Sequence, residues 1–522
     1  MTADTHPMNG AESLVRTLIA NDVKVCFTNP GTSEMHFVAA LDKVDGMRCV
    51  LGLFEGVVTG AADGYYRMAD KPASTLLHLG PGLGNGLANL HNAKKAGSGV
   101  VNIVGEHASY HVACDAPLTT DIEGIARPMS HWVRTSRSSH DVARDGAAAI
   151  TEARQAPGRI ATLVLPADTA WGDGAGVAQA AAPEARREVD ATAIEAAAQA
   201  LSSGRPAALL LGGVAVREEA MELAGRIAAK TGCRLLSEYA LARLQRGAGR
   251  VQTVRIPYAV DPSVALLKDV AELVLVGAKT PVAFFAYPGK PSVLVGEGCN
   301  VTPLADVADD LLAALQALAE RLGASALAPV HVARLERPGL PTGRITPEGL
   351  GAVLGALMPE HAIVVDESIS TGRGFGVPTA GAPPHDWLNI VGGSIGFGLP
   401  AATGAAIAAP DRTVIVLEGD GSAMYTVQAL WTMASEGLNV KVLLFANRRY
   451  QILQGELAGV GAGTPGRKAS DMLNLDRPTL DWVALARAQG LDAARAEDLD
   501  SLATALRRAL ATPGPCLIEI VM

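Results

Sequence analysis

One stretch of the sequence, residues 413–447, constrains the fold more than any other. It opens with an apolar run, TVIVL at 413–417, in which β-branched and aliphatic residues follow one another without polar alternation. Such a run is typical of a parallel strand that is buried on both faces. Gly-Asp-Gly follows at 419–421, a helix is expected over 425–436, and a second aliphatic strand is expected over 440–445. The order strand, helix, strand predicts an open α/β sheet.

Two polar residues stand at the ends of these predicted strands. Asp420 lies between the two glycines, and Asn447 follows the second strand. Because a strand, helix, strand unit returns the chain to the same edge of the sheet, we expect the two side chains to converge. Open α/β sheets bind ligands at this edge. A carboxylate and an amide oxygen are suitable ligands for Mg²⁺, which often shares its coordination shell with phosphate oxygens.

The segment resembles the thiamine-diphosphate signature, in which Gly-Asp-Gly is followed some two dozen residues later by Asn-Asn. The resemblance implies that Asp420, Asn447 and the main-chain carbonyl of Arg449 hold the Mg²⁺ that anchors thiamine diphosphate. The first Asn of the family pair is Ala446 here, but the ligand position is the second. For the tripeptide alone, a turn in an unrelated α/β domain is the alternative. The resemblance adds three cofactor-binding residues: Gly421, Ser422 and Tyr450.

Length and charge narrow the class of protein. At 522 residues the chain is too long for one hydrophobic core, and its length predicts about three domains. The net charge of −9 argues against a nucleic-acid partner, which would require a basic surface. No apolar run is long enough to span a membrane, and residues 1–10 lack a signal-peptide pattern, so we expect a cytoplasmic protein. Six dispersed cysteines without a C-x-x-C pair favour neither zinc nor disulfides.

An acid ends the strand predicted over residues 50–54. Glu55 follows this apolar run and precedes the helix predicted over 57–68. A carboxylate at the end of a buried strand is costly without a partner, although a helix N-terminus also attracts acids. Glu55 with the downstream GAADGY looks like the cofactor-activating glutamate of the thiamine-diphosphate family and the helix behind it. The resemblance implies that Glu55 is catalytic and hydrogen-bonds N1′ of the aminopyrimidine.

A glycine-rich run, GPGLGNG at 80–86, follows a strand predicted over 74–79 and leads into another helix. Alone it is a weak dinucleotide-binding fingerprint, and Glu106 could be the acid that a Rossmann interpretation requires. The run is not the first strand-to-helix turn of its domain, however. It also matches the thiamine-diphosphate pattern at the corresponding place.

His78 stands immediately before this glycine run. A lone histidine near a strand end is more often structural than catalytic. The sequence is similar to the benzoylformate-decarboxylase-like branch, in which a histidine at this place faces the substrate, and this implies a catalytic, substrate-contacting His78. The branch also agrees at Thr32, a candidate substrate contact that could equally be a helix N-cap. Leu118, a third substrate candidate, stands where acetolactate synthases usually carry glutamine, which counts against acetolactate synthesis.

The whole chain is expected to form three doubly wound parallel-sheet α/β domains joined by Gly/Ala-rich and Pro-containing linkers. Some relatives bind FAD or a nucleotide in the middle domain, but nothing in this sequence supports FAD. The predicted middle-domain strands are 207–211, 234–235, 273–276 and 292–295. The predicted domains are pyrimidine-binding (1–171), middle (190–323) and diphosphate-binding (344–522).

The second active-site histidine of the branch has no match in the middle domain. The corresponding stretch, PVAFFAY at 281–287, instead offers Phe284, Phe285 and Tyr287. We expect these aromatic side chains to line an apolar substrate pocket.

Two further stretches of the last predicted domain contain cofactor-binding candidates. Ser370 lies in a hydroxyl-rich segment at a strand end, which suits phosphate oxygens. The resemblance implies that Ile395 acts as a wedge that bends the cofactor. It also implies that the carbonyl of Gly393 accepts a hydrogen bond from the cofactor's 4′-amino group.

These features predict a thiamine-diphosphate enzyme that acts on a 2-oxo acid. The resemblance implies a lyase that decarboxylates without oxidation, as benzoylformate decarboxylase does, or a carboligase. The alternatives are an acetolactate synthase-type transferase that makes a 2-hydroxy ketone from pyruvate, and a cofactor-binding protein without catalysis. Intact Glu55, Asp420 and Asn447 argue against the last. In this family two chains share each cofactor, so we expect a homodimer as the smallest active unit and a homotetramer as the assembly.

Overall fold

The computed structural model describes residues 8–522 and contains three β-sheets with parallel strands, each packed against helices. This architecture confirms the predicted class of three doubly wound α/β domains. The signal-peptide prediction rests mostly on residues 1–7, which lie outside the described residues. Within the described part, no helix is both long enough and apolar enough to cross a bilayer.

The first sheet has six parallel strands in the order β2-β1-β3-β4-β6-β5. Its central strands β3, β4 and β6 are buried along their whole length, as expected for parallel strands covered on both faces. Its strands are β1 (Val25–Asn29), β2 (Arg48–Leu51), β3 (Ala73–Leu77), β4 (Val100–Glu106), β5 (Trp132–Thr135) and β6 (Ile160–Pro166). Its helices are α1 (Gly10–Ala20), α2 (Met35–Lys43), α3 (Glu55–Ala69), α4 (Leu79–Ala96), α5 (Ile122–Ala126), α6 (Val142–Ala153) and α7 (Ala167–Trp171).

The second sheet has five parallel strands in the order β10-β8-β7-β11-β12. Glu238, which follows β8, lies across the carboxyl edge of this sheet and accepts a hydrogen bond from the backbone of Lys279. Its strands are β7 (Ala207–Leu211), β8 (Arg234–Ser237), β10 (Val254–Arg255), β11 (Glu272–Val276) and β12 (Asn300–Ala305). Its helices are α8 (Ala191–Leu201), α9 (Glu218–Thr231), α10 (Val260–Leu267) and α11 (Leu311–Leu322).

The third sheet has seven strands in the order β17-β18-β16-β15-β13-β14-β9. β9 (Leu244–Arg246) is its one antiparallel strand and comes from the sequence range predicted for the middle domain. The other strands are β13 (Ile363–Glu367), β14 (His385–Asn389), β15 (Val414–Gly419), β16 (Val440–Ala446), β17 (Asp492–Ala496) and β18 (Cys516–Val521). The helices are α12 (Pro347–Leu357), α13 (Gly398–Ala408), α14 (Asp420–Ala423), α15 (Ala429–Ser435), α16 (Gln451–Gly459), α17 (Arg467–Leu473), α18 (Trp482–Ala488) and α19 (Leu499–Ala511).

Two predicted elements differ from the structure. The strand predicted over 292–295 is wrong, because these residues form only an isolated bridge between Val282 and Val293, and β12 occupies the sheet edge instead. The helix predicted over 425–436 begins later, at Ala429, because the chain first turns through the short helix α14.

The glycine-rich run 80–86 forms the first turns of α4, whereas the sequence pattern predicted a loop before the helix. Close packing explains why glycine stands at these helical positions. A Cβ atom at Gly80 would lie 2.6 Å from Cγ2 of Thr120, and one at Gly86 would lie 2.9 Å from Cγ2 of Thr59. The glycines therefore let α4 approach its neighbours more closely than any other residue would.

Helices α3 and α13 cross with their backbones in contact and join the first and third sheets. A Cβ atom at Gly64 would lie 1.9 Å from the carbonyl oxygen of Ala401, and one at Gly404 would lie 1.8 Å from that of Ala61. No side chain fits at either glycine without moving a helix backbone. The crossing therefore fixes the distance between the two sheets.

A buried ion pair strengthens the same junction. Arg67 donates two hydrogen bonds to Asp63, at 2.8 and 2.7 Å, and both side chains are almost fully excluded from solvent. Arg67 also donates to the carbonyl oxygen of Asn389, at the end of β14, and its guanidinium lies 4.5 Å from the ring centroid of Phe397. A buried bidentate pair whose remaining donors are satisfied avoids an uncompensated charge. Arg67 thus ties α3 to the third sheet.

Two glutamates lie side by side beneath the segment that leads into α13. Glu367 at the end of β13 accepts hydrogen bonds from the backbone N–H groups of Gly396, at 2.8 Å, and Gly398, at 2.5 Å. Glu418 on the adjacent strand β15 is fully buried, and its Oε2 has no donor partner. Burial raises the pKa of Glu367 to about 7, and burial together with the charge of Glu367 raises the pKa of Glu418. Glu418 is therefore the member of the pair that holds a proton.

This assignment predicts opposite effects for two glutamine substitutions. In the wild type, acids with raised pKa values favour folding at low pH, and that stability is lost as pH rises from about 4.5 through the raised values. Glu418→Gln should reduce this loss, because an amide is neutral at every pH and has no proton to lose as pH rises. Glu367→Gln should destabilise the fold by about 1–3 kcal/mol at every pH, because an N–H group would face a backbone N–H group.

Thermal unfolding of both variants at about pH 6 and about pH 8 provides the test. The two substitutions are matched, since each replaces one acid of the pair with the same amide. Equal destabilisation by both would contradict the assignment of the proton to Glu418.

Candidate active site

The predicted metal ligands meet at the carboxyl edge of the third sheet. Asp420 follows β15 and Asn447 follows β16, and these strands are neighbours with Gly419 opposite Phe445. Asp420 Oδ2 accepts a hydrogen bond of 2.6 Å from the backbone N–H of Arg448, which joins the two strand ends. Parallel pairing of β15 and β16 therefore places Asp420 and Asn447 at the same edge of the sheet, and their convergence on one ion stays a prediction.

The donor set at this edge fits a hard divalent cation. Asp420 is 3% exposed, its hydrogen bonds come from the backbone N–H groups of Gly421 and Arg448, and burial raises its pKa to about 6. A buried carboxylate held only by neutral donors gains from a nearby cation. Asp420 and Asn447 supply oxygens of the kind that Mg²⁺ prefers. Among residues 8–522, no cluster of three or more His, Cys, Asp or Glu side chains could hold a metal by itself.

The predicted diphosphate-binding residues lie at the ends of the neighbouring strands β13, β15 and β16. Gly421 faces the ring of Tyr450, because a Cβ atom there would lie 2.5 Å from Cε1 of the tyrosine. Ser422 is buried in the same turn. Ser370 follows β13 and comes directly after Ile369, which has the positive φ angle of 49° that non-glycine residues rarely adopt. Hydroxyls and glycine backbone thus line the edge beside the proposed metal ligands, as a diphosphate requires.

The segment containing Gly393 and Ile395 is held by α4 of the first domain. Asn92 exchanges two hydrogen bonds with Ser394, donating to its carbonyl at 2.7 Å and accepting from its N–H at 3.2 Å. Asn89 donates to the carbonyl of Gly396 at 3.0 Å. Gly393 has a φ of 74°, and Ile395 is half-buried. The predicted wedge and its neighbouring carbonyl therefore lie on a segment that is fixed from two sides, by α4 and by Glu367.

Glu55 is the first residue of α3 and is 8% exposed. Its Oε2 accepts a hydrogen bond of 3.0 Å from Asn85, which lies within the glycine-rich run. The sequence analysis did not identify Asn85 as a partner. A Cβ atom at Gly82 would lie 2.9 Å from Oε1 of Glu55 and 3.2 Å from Cβ of His78. Glu55 and His78, the two predicted catalytic residues, therefore border the same glycine.

The structure adds Glu34, which the sequence analysis missed. Its Oε2 accepts hydrogen bonds from the backbone N–H of Gly31, at 2.7 Å, and from Nδ1 of His78, at 2.8 Å. Glu34 is 3% exposed. A carboxylate accepts only, so Nδ1 of His78 carries the proton and Nε2 is the nitrogen left for exchange. The Gly-x-x-Glu spacing of a capping box was the available signal.

The two remaining substrate candidates lie near this pair. Thr32 is exposed and begins the short 3₁₀ turn after Gly31, so its interpretation as a helix N-cap is wrong, because Glu34 bonds the free backbone N–H instead. Leu118 is half-buried against the main apolar core. Its neighbour Thr120 contacts the start of α4 at Gly80, which brings the 118–120 segment beside His78.

The candidate residues form two groups within one chain. Glu34, His78 and Glu55 belong to the first domain, whereas the residues around Asp420 belong to the third. Across residues 8–522, no hydrogen bond joins Glu55 or His78 to Asp420 or Asn447. We call each of these two groups a half-site.

Models of known protein families match the two parts of the chain that contain the half-sites. Residues 8–126 match the N-terminal TPP binding domain of thiamine pyrophosphate enzymes, and residues 375–520 match their C-terminal TPP binding domain. The first range contains Glu34, Glu55 and His78. The second contains Asp420 and Asn447. The resemblance inferred from the sequence is thereby confirmed.

Individual relatives cover nearly the whole chain. A Mycobacterium tuberculosis protein, IlvX, which is named provisionally as an acetolactate synthase large subunit, is 51% identical over 99% of both chains. Benzoylformate decarboxylase of Pseudomonas aeruginosa is 32% identical over 95% of both chains. The solved structure of a thiamine diphosphate-dependent 4-hydroxybenzoylformate decarboxylase from Rhodococcus jostii superposes with a TM-score of 0.85 over 98% of both chains, at 25% identity. The chain therefore belongs to the thiamine pyrophosphate enzyme family.

Proposed function

We propose that this protein uses thiamine diphosphate and Mg²⁺ to decarboxylate an aromatic or branched 2-oxo acid without oxidation, in the manner of benzoylformate decarboxylase. The observation that carries the proposal is the histidine His78, oriented by the buried Glu34 and bordering the same glycine as Glu55. A histidine with a fixed tautomer beside the activating acid can supply the proton that decarboxylation consumes when an aldehyde is released.

The middle domain supports an apolar substrate. Phe284 packs against Gly393, since a Cβ atom on that glycine would lie 2.8 Å from Cζ of the ring. Phe284 and Phe285 are in edge-to-face contact with centroids 4.9 Å apart. These two rings offer more apolar surface than a methyl group needs. The benzoylformate decarboxylase relative and the 4-hydroxybenzoylformate decarboxylase structure favour the same substrate class.

In this proposal each half-site would hold one part of the cofactor. The metal would bind to Asp420, Asn447 and the carbonyl of Arg449, with Ser370, Gly421, Ser422 and Tyr450 around the diphosphate. Gly393 and Ile395 would contact the pyrimidine and thiazolium rings. When bound, thiamine diphosphate supplies the electron sink for the electron pair left as CO₂ departs.

The chain's own acids and bases handle the protons. Glu55, held by Asn85, would share a proton with the pyrimidine nitrogen N1′ of the bound cofactor. His78 donates its Nδ1–H to Glu34 in a hydrogen bond and would exchange a proton with the substrate through Nε2. Because the middle domain offers no second histidine at 281–287, water or His78 itself carries any further proton.

A homodimer is the proposed minimum active unit, with a homotetramer as the assembly and the cytoplasm as the location. Large apolar side chains are exposed beside both half-sites: Leu53 is 47% exposed next to Glu55, and Tyr425 is 53% exposed near Asp420. Exposed apolar surface next to an incomplete site favours contact with a second copy of the chain.

A second candidate is acetolactate synthase-type formation of a 2-hydroxy ketone from pyruvate. The 51% identity to IlvX favours it. A product screen of the holoenzyme with pyruvate, phenylpyruvate and benzoylformate separates the two candidates. Release of an aromatic aldehyde supports the decarboxylase, whereas acetolactate from pyruvate, with no turnover of the aromatic acids, would overturn it.

Asp420→Ala removes the only carboxylate of the proposed metal-ligand set. Ligands that bind the folded state raise its stability, so the wild type should melt at a higher temperature with thiamine diphosphate and Mg²⁺. The variant should lose most of this gain, and EDTA should abolish the gain in the wild type. Asp492→Ala, which removes an exposed carboxylate of the same domain, should behave as wild type. A full Mg²⁺-dependent shift in Asp420→Ala would contradict the metal site.

Glu55→Gln tests the proton-sharing acid. The variant should fold and bind thiamine diphosphate near normally, but kcat should fall on the order of 10²-fold, because an amide cannot give up a proton as a carboxylic acid does. Deuterium exchange at C2 of the bound cofactor, measured by NMR, isolates this step. Exchange at the wild-type rate in the variant would exclude the role.

His78→Ala should lower kcat on a 2-oxo acid by about 10²-fold with little change in cofactor affinity or melting temperature. Glu34→Gln should flatten or displace the pH profile of kcat. The glutamine can present its NH₂ group to Nδ1 in place of an oxygen, and the proton of His78 would then no longer be held on Nδ1. His36→Ala, at an exposed histidine beside Trp171, is the control. If His78 is structural instead, its removal costs about 1–3 kcal/mol of stability while turnover per folded molecule stays normal.

A further inference from the structure

Five aromatic residues of the middle domain form a continuous surface beside the Gly393 segment, which we call the aromatic wall. Phe284 touches Gly393, and its ring centroid lies 5.4 Å from that of Tyr258. Phe284 and Phe285 remain 44% and 52% exposed, so the wall has a free face. Its members are Tyr239, Tyr258, Phe284, Phe285 and Tyr287.

The end of the wall farthest from Gly393 is polar. Tyr258 donates a hydrogen bond of 3.1 Å to Oε1 of Glu456. Burial, followed by interactions with Tyr287 and Glu456, raises the pKa of Tyr258 above its ordinary range. Burial and Glu456 likewise raise the pKa of Tyr287. Both phenols are therefore neutral, and they face one carboxylate.

Glu456 lies on α16, which begins one residue after Tyr450 and thus directly follows the proposed metal-binding segment. In the described part of the chain, its carboxylate takes part in no salt bridge with a lysine, arginine or histidine. Two guanidinium groups lie against rings of the wall: that of Arg255 is 4.9 Å from the ring centroid of Tyr239, and that of Arg373 is 5.1 Å from the ring centroid of Tyr258. Glu456 therefore retains acceptor capacity, since a carboxylate has about four acceptor positions.

Successive contacts lead outward from the Gly393 segment. Gly393 touches Phe284, Phe284 lies beside Tyr258, and Tyr258 is hydrogen-bonded to the carboxylate of Glu456. An aromatic ring of a substrate whose reacting carbon lies near Gly393 would stack on Phe284 and Phe285. A substituent at the far end of that ring would reach the tyrosines and Glu456. A hydroxyl there could donate to the carboxylate, whereas a second carboxylate would be repelled.

We propose that Tyr258, Tyr287 and Glu456 form the distal end of the substrate pocket and select aromatic 2-oxo acids that carry a hydrogen-bond donor at the far end of the ring. The assignment rests on the proposed decarboxylase function. A hydrogen bond to a charged acceptor corresponds to about a 10- to 100-fold preference. Glu456 is then a specificity-determining residue, while Phe284 provides affinity without discrimination.

The test compares benzoylformate, 4-hydroxybenzoylformate and 4-methoxybenzoylformate as substrates of the holoenzyme. The methoxy compound has a similar length but cannot donate. We expect kcat/KM to favour the hydroxy over the methoxy compound by about tenfold or more in the wild type, and to favour it little in Glu456→Leu. Glu497→Gln, at an exposed acid of the same domain, should keep the wild-type ratio.

A binding measurement separates this inference from the proposed function. Mandelate and 4-hydroxymandelate have no 2-oxo group to react, so calorimetry of the holoenzyme reports selectivity without turnover. Tighter binding of the hydroxy acid in the wild type, lost in Glu456→Leu and reduced in Tyr287→Phe, supports the distal site even if no aromatic 2-oxo acid is turned over. Equal binding of both acids, or a ratio unchanged by either variant, overturns the distal site and shows that Glu456 only links α16 to the middle domain.

Discussion

The contact between α3 and α13 is the constraint on which the candidate site depends. Because Gly64 and Gly404 let two helix backbones touch, neither helix can slide or rotate without a collision. Glu55 is the first residue of α3, and Gly398 is the first residue of α13. Glu55 and the segment that carries Ile395 are thus both extensions of one rigid crossing. The buried pair of Arg67 and Asp63 holds the same junction by charge.

Three acidic side chains lie close to one another at the carboxyl edge of the third sheet. Glu367, Glu418 and Asp420 are all buried, and their hydrogen bonds come from backbone N–H groups rather than from basic side chains. Burial disfavours the charged form of each. A protein that keeps three acids in this state is less stable than it could be, and a divalent cation at Asp420 would recover part of the difference.

Local patterns in the sequence predicted most of the fold and part of the site. Uninterrupted aliphatic runs identified β15 and β16, and residues at the ends of such runs, Asp420, Asn447 and Glu55, could be placed at the sheet edges because parallel strands end together. The pairing of Glu34 with His78 spans 44 residues and depends on how two loops fold back, which no local pattern records. The glycine-rich run was misread because glycine normally disfavours helix, and here the packing of α4 outweighs that preference.

Local sequence patterns also fail to predict the strand β9. Its three residues, Leu244 to Arg246, have no strand pattern of their own, and only the exposed edge of β14 makes them a strand. An uncovered parallel edge would offer its free N–H and carbonyl groups to any extended chain, which is a common start of aggregation. β9, which comes from the sequence range predicted for the middle domain, pairs with β14 and covers that edge. β9 also continues into the part of the chain that carries the aromatic wall. The same piece of polypeptide therefore covers the sheet edge and positions the wall beside the Gly393 segment. A mutation that loosened the strand would also loosen the wall.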